Sequence, residues 1–349
     1  MKKFIALSLA GIMAASLAAC GGSSSSSSTT AAAAGGETTK AAAESAAAAP
    51  AASGDKESLT FASGGTTGTY YAVGGVLSTV LNPILTKSNI TVASTGASKA
   101  NIQMIDDGDA QLGIVQNDVM YYAYTGTDLF ESEGKIDTFN AVAGLYDETV
   151  QIVTCDPSIK SVADLKGKKV SVGDAGSGVE FNAKQILGAY DLTFDDIQKQ
   201  NLSFGDSADS LKDGKIDAAF VVAGAPTTAV VDLATTKDVN LVQLDDEHIK
   251  KLQDKYDFYT ETVIPADTYK GLSGDATTVS VRATIIASTD VSEDAIYEFT
   301  KAMFDNKDDL AAGHDKFKSL SLDDATKGIS VPFHPGAKKY FKEQGVTVE

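Results

Sequence analysis

The sequence predicts an α/β protein made of two lobes. Three observations carry this expectation. Short β-rich runs alternate with amphipathic stretches from Leu59 onward, Gly-, Ser- and Thr-rich turns stand at the strand-to-helix junctions, and the pattern starts afresh after Asp156-Pro157. Roughly 290 of the 349 residues are available for this folding, enough for a sizeable core or two lobes.

In the first unit Leu59–Ser63 reads as a strand. The turn Gly64–Thr69 follows, and then a helix from about Tyr70 to Leu85. Ile90–Ser94 is the next strand, and Thr95-Gly96-Ala97-Ser98 turns into a helix carrying Ile102 and Ile105 that stops at Asp107-Gly108. Leu112–Val115 is a third strand, with Gln116-Asn117-Asp118 opening a helix around Tyr121, and Ala141–Gly144 a further one. Strands alternating with helices imply a parallel sheet.

The second unit repeats the scheme. Val170–Gly173 is a strand, Gly176-Ser177-Gly178 a turn, and Val179–Tyr190 a helix; Leu202–Phe204 reads as a strand before a helix over Ala208–Lys212. Ala218–Val222 runs into Gly224-Ala225-Pro226, where the proline suits a helix start. The long β-rich run Thr277–Ser288 crosses back to the first unit, and helices follow over Glu293–Asn306 and Ala337–Gln344. The hinge is expected near Ile152–Asp156 and Thr278–Arg282. This places the first lobe at 58–152 and 281–349 and the second at 153–280.

What precedes the first strand is not expected to fold. Lys2 and Lys3, an apolar run from Phe4 to Leu17 and then Leu17-Ala18-Ala19-Cys20 have the layout of a secretory signal over 1–19, too short for a membrane span. Leu-Ala-Ala-Cys resembles a bacterial lipobox, which implies acylation of Cys20 and a chain anchored outside the cytoplasm. Residues 20–57 are mainly Ser, Thr, Ala and Gly, with too little apolar surface to offset ordering entropy, and read as a flexible tether.

Composition excludes several functions. Loss of Lys2 and Lys3 with the signal leaves 27 basic against 47 acidic residues, a surface that repels nucleic acid. With Cys20 acylated, Cys155 stands alone and no intramolecular disulfide can form; its apolar run Val150–Thr154 suits a buried strand thiol. His248, His314 and His334 are too scattered for a metal site, and no Gly-x-Ser-x-Gly elbow or Walker loop occurs. Neither an enzyme nor a cofactor is expected.

The ordered motifs resemble one family. They are Gly65-x-x-Gly68-x-Tyr70-Tyr71, Thr95-Gly96-Ala97-Ser98-x-x-Asn101, Gln116-Asn117-Asp118, Gly144-Leu145-Tyr146-x-Glu148, Asp164-Leu165-Lys166-Gly167-Lys168, Gly176-Ser177-Gly178, Asp217-Ala218-Ala219-Phe220 and His334-Pro335-Gly336-Ala337-x-x-Tyr340. The series, from about Leu59 to Gly345, resembles the TAXI family of solute receptors that serve TRAP-type transporters. The resemblance implies a type II periplasmic-binding-protein fold, two lobes with a two-strand hinge, closing on a small carboxylate such as glutamate or 2-oxoglutarate. It also implies a TRAP-type membrane permease as partner and an ion gradient as energy source. Asp147 stands where the family often has proline, which touches a loop expected to meet ligand. The alternative is the binding lipoprotein of an ABC-type importer, with the same fold and a different permease. A surface adhesin is a more distant possibility. The receptor is expected to be monomeric.

The residues support a cleft without the family. Ligands of open α/β sheets sit beyond the carboxyl ends of strands, where helices begin with free N–H groups. The three small-residue turns place Gly65, Thr66, Thr69, Thr95, Gly96, Ser98, Gly176, Ser177 and Gly178 there, although Ser and Thr also cap helices routinely. Of Tyr70 and Tyr71 at least one packs inward, and Tyr70 is the ligand candidate. Tyr146 and Glu148 are expected in a loop after the strand Ala141–Gly144. Glu148 is either a partner for a ligand ammonium or a solvated acid. Asn117 is a ligand candidate, Asp118 suits a helix start, and Arg282 suits a salt bridge between the lobes.

Overall fold

A computed structural model describes residues 56–349. The expected signal segment, the acylated Cys20 and nearly all of the tether lie outside the described residues. The first strand, β1 (Glu57–Ala62), pairs in parallel with β2 (Ser88–Ala93) and β3 (Leu112–Gln116). Helices α1 (Thr69–Leu81) and α2 (Ser98–Asp106) make the crossovers, and α3 (Asn117–Thr125) leaves β3. The α1 helix stops four residues short of the expected Leu85. Asn82 keeps helical backbone (φ −54°, ψ −36°), but Pro83 has no N–H to continue the ladder, and the Asn82 side-chain amide donates to Ser78 Oγ (3.0 Å) and the Ile90 carbonyl (2.9 Å).

The next element corrects the sequence reading. β4 is one 16-residue strand, Phe139–Thr154, so Tyr146 and Glu148 lie within a strand and not in a loop. Its first part pairs with β10 (Ala276–Ser288) and its second part with β7 (Ala218–Ala223) and β8 (Asn240–Val242). Between the two long strands come β5 (Lys169–Ser171), α4 (Gly178–Ala189), β6 (Gln198–Gln200) and α5 (Phe204–Lys212). After β7 come α6 (Thr228–Ala234), then β8, α7 (Asp246–Lys255) and β9 (Thr260–Ile264). The chain closes with α8 (Glu293–Asp305), α9 (Lys307–Gly313) and α10 (Pro335–Glu343).

Leu202–Phe204 is not a strand. Ser203 caps α5 by accepting from the Asp206 N–H at 3.2 Å, and Phe204 is the first helical residue. The elements β8, α7 and β9 escaped the pattern because α7 buries only Ile249 and Leu252 and β9 only Ile264.

All ten described strands form one sheet, ordered β2-β1-β3-β10-β4-β7-β5-β6, with β8 added to β4 and β9 to β10. The sheet is mixed, not parallel throughout. Its flanks, β2-β1-β3 and β7-β5-β6, are parallel, whereas β10 runs antiparallel to β3 and β4, and β4 antiparallel to β7. The crossover helices explain the parallel flanks.

Side chains sort into cores on either side of the long strands. One contains Phe61, Ile114, Phe139, Phe299 and Phe341; another contains Ile152, Val170, Ile186, Phe220 and Ile249, with a smaller cluster around Val153, Leu211 and Leu233. On β4 the change of core falls between Tyr146 and Val150, and on β10 between Val281 and Ala283.

Candidate functional site: a cavity among four helix N-termini

Where the two cores face each other, a small cavity opens among the first turns of α1, α2, α4 and α5. Gly68, Thr69, Tyr70, Ala97 and Ser98 line it from one side with Gln116 and Glu148; Asp174, Ser177, Gly178, Val179 and Phe204 line it from the other. The space that a water-sized sphere can occupy is about 40 Å³. That suffices for a few water molecules and not for a solute of ten heavy atoms, so a larger occupant requires the walls to part.

The α1 and α2 termini share an unusual feature. Neither receives a side-chain cap: Gly68 and Ala97 stand at the cap positions, so first-turn N–H groups are left without a side-chain acceptor. Ala97 has φ 68° and ψ −149°, a conformation that suits glycine. The strain is held by Thr95, whose hydroxyl accepts from the Ala97 N–H (3.1 Å) and donates to Asn101 Oδ1 (2.5 Å). By contrast, Ser177 caps α4 through the Glu180 N–H and Ser203 caps α5.

Glu148 is 2 % exposed, and its Oε2 accepts from the Tyr70 hydroxyl at 2.5 Å. No lysine, arginine or histidine lines the cavity, and no cation pairs with Glu148 among the described residues. Burial pushes its carboxyl up to about 8; the hydrogen bond from Tyr70 opposes the shift, Asp118 adds to it, and Gln116 and Lys316 oppose it. Burial likewise raises the Tyr70 and Tyr146 hydroxyls, with Glu148 adding repulsion. Two buried polar atoms here have no hydrogen-bond partner, Gln116 Oε1 and the Tyr146 hydroxyl. Gln116 reaches across the cleft to Gly178, where a Cβ would lie 2.0 Å from its Oε1.

Other contacts bridge the same divide. Asp118 accepts from Asn182 (2.9 Å), which also donates to the Tyr259 hydroxyl (2.9 Å). Tyr259 donates to Gln185 (2.6 Å), and Gln185 donates to the Tyr122 hydroxyl (3.2 Å). Burial raises Asp118 to about 6, against the opposing bonds from Val119 and Asn182. Thr69 donates to the Gly224 carbonyl and Lys316 to that of Ala225.

The structure brings Gly65, Thr69, Tyr70, Ser98, Glu148, Ser177 and Gly178 together at the cavity. The remaining candidates lie elsewhere. Thr66 is exposed; Thr95 and Gly96 stand behind the Ala97 turn, and the Gly176 N–H is bound by Glu180. Tyr146 packs beside Tyr70 and Glu148 without lining the cavity. Asn117 is occupied structurally, accepting from the Arg282 N–H (2.9 Å) and donating to the Gly328 carbonyl (3.3 Å). Arg282 pairs with Asp147 (3.1 Å) and Asp324 (2.6 Å). Tyr71 is partly exposed, so Tyr70 is the inward-facing tyrosine of the two.

Sequence reasoning missed Gln116, Asp174 and Phe204. Gln116 carried a usable signal, a polar residue ending an apolar strand. Phe204 carried none once its segment was read as a strand.

The NMT1-like family model matches residues 61–345. The chain belongs to the NMT1-like family. Solved structures similar to this NMT1-like chain include the periplasmic aliphatic sulphonate binding protein SsuA from Escherichia coli, at 16% identity and TM-score 0.39, covering 83% of this chain and 91% of that one. The alkanesulfonate-binding protein SsuA from Xanthomonas axonopodis pv. citri, bound to MOPS, matches at 14% identity and TM-score 0.46, with coverages of 84% and 92%. An amino acid ABC transporter substrate-binding protein, AbpA from Streptococcus pneumoniae, bound to L-arginine, matches at 16% and 0.42, with coverages of 75% and 94%.

Proposed function

We propose that this NMT1-like chain is an extracytoplasmic receptor that captures a small carboxylate between its lobes and hands it to a membrane permease. The observation that carries the reading is the pair of uncapped helix N-termini, α1 and α2, opening on one cavity that no cationic side chain lines. Backbone N–H groups with a favourable helix dipole hold an anion without arginine. Such a site is assembled from both lobes, so ligand contacts to the two faces drive closure about β4 and β10.

A thermal-shift screen of dicarboxylates and amino acids tests the reading, followed by small-angle scattering with any hit. The expected result is a higher melting temperature and compaction on binding; no shift with any acid would sink it.

Two permease classes are compatible with this receptor. The sequence motifs suggest a TRAP-type permease, whereas the transporter named among the structures above is an ABC importer, which favours the ABC-type alternative. Uptake in cells decides between them: dependence on ATP supports the importer, and dependence on an ion gradient alone supports the TRAP-type permease.

The Leu17–Cys20 motif and the low-complexity stretch after it support a lipid tether that keeps the receptor near its permease, a gain in local concentration. Cys20→Ala is expected to release a protein that still gives the thermal shift, seen by fractionation. Retention in the membrane fraction would refute the tether.

A further inference from the structure

We propose that Glu148 is protonated when the receptor holds its carboxylate, donating a hydrogen bond to the ligand, so that capture at alkaline pH takes up a proton. The inference rests on the carboxylate reading above and adds a proton to it.

The geometry makes the case. An anion at the α1 and α2 termini lies in the same small cavity as Glu148, which no cation pairs. Two negative charges in a water-poor space repel strongly, and the alternative is for one carboxyl to keep its proton. The Tyr70 hydroxyl donates to Oε2, and Glu148 lines the cavity, so Oε1 is the oxygen left to take the proton. The change balances as ligand carboxylate plus ionised Glu148 plus one proton giving a hydrogen-bonded acid–carboxylate pair.

The groups facing Glu148 reinforce this. Tyr70 from α1 and Tyr146 from β4 are hydroxyls raised by burial; Asp118 from α3 is a repelling carboxyl, and Asp174 lies across the cavity. Lys316 is the facing cation, yet its amine is itself lowered by burial and donates to the Ala225 carbonyl. Asp147, the next residue, is spent on Arg282. Burial pushes the Glu148 carboxyl up to about 8, so the protonated form is favoured below that pH and lost above it.

The experiment is calorimetric binding of 2-oxoglutarate and of L-glutamate to the mature protein from pH 6 to 9.5, in buffers of differing ionisation enthalpy. Expected are a flat affinity below pH 8, a fall of about tenfold per pH unit above it, and uptake approaching one proton near pH 9. Glu148→Gln should flatten the profile above pH 8. A persistent decline in that variant would assign the effect to Lys316 and overturn the proposal. So would a pH-independent affinity in the unaltered protein, or proton release with L-glutamate, which would make Glu148 an ionised partner for the ammonium; both leave the receptor reading standing. Binding of neither acid at any pH overturns the carboxylate reading and this proposal together.

Discussion

Gly178→Ala is expected to weaken ligand binding by roughly 5- to 150-fold and to reduce closure, measured by calorimetry and small-angle scattering. In an isolated helix the change would favour folding, since alanine is the better helix former by about 1 kcal/mol. Here the added methyl would stand 2.0 Å from Gln116 Oε1 and 2.6 Å from its Cδ. Gln116 is 2 % exposed and sits between α4 and the cavity, so its amide can yield only by moving into ligand space or by holding the lobes apart. The pair is therefore coupled, and Gly178→Ala should add little once Gln116 is alanine. Unchanged affinity in the single variant would mean that Gln116 yields freely.

Gly336→Ala acts on stability. A Cβ there would come 2.3 Å from the Glu293 carbonyl oxygen, 2.5 Å from the Tyr297 nitrogen and 3.0 Å from the Ile296 carbonyl carbon, all backbone of α8. Backbone cannot rotate away as a side chain does, so α10 must lift from α8. That movement would open the contacts of Ala337, Tyr340 and Phe341, including the stacking of Phe304 on Tyr340 at 5.5 Å. The expected loss is about 3 kcal/mol or more, seen as a lower denaturation midpoint. Gly188→Ala in α4 is the matched control, because nothing lies within 4 Å of its added methyl. It should be neutral or stabilising by up to about 1 kcal/mol.

Much of the architecture was legible because local signals agreed with the final packing. Strands β1, β2, β5 and β7 each precede a small-residue turn, and β3 runs straight into α3 at Asn117, a pattern that sets crossover, strand order and the sites of the helix N-termini together. Only tertiary pairing could show that Ala141–Gly144 and Val150–Thr154 are one strand, since Tyr146, Asp147 and Glu148 between them read as turn chemistry. In the structure Val281 pairs with Glu148 and Arg282 with Asp147, so a neighbouring strand, not a local propensity, holds this polar stretch extended. The same distance from local chemistry hid the roles of Asn117 and Thr95. Both had the right residue type and neighbourhood for a ligand contact, and both are used up by backbone groups far away in sequence or behind the turn. Gln116 shows the converse. Its motif was visible, but its value comes from an opposing helix that lies some sixty residues downstream.

The register of the two long strands has a consequence for how the molecule can be taken apart. Thr149 and Ser280 are direct partners across β4 and β10, so the segment between them leaves and re-enters the sheet at adjoining positions. All of the buried residues that build the Ile152–Phe220 core lie inside that segment except Val281, the residue just past its end. It is thus arranged as a cassette whose two ends meet. A reporter protein inserted beside this junction would register any twist of one strand against the other, which makes Thr149/Ser280 the natural place to wire the receptor as a sensor.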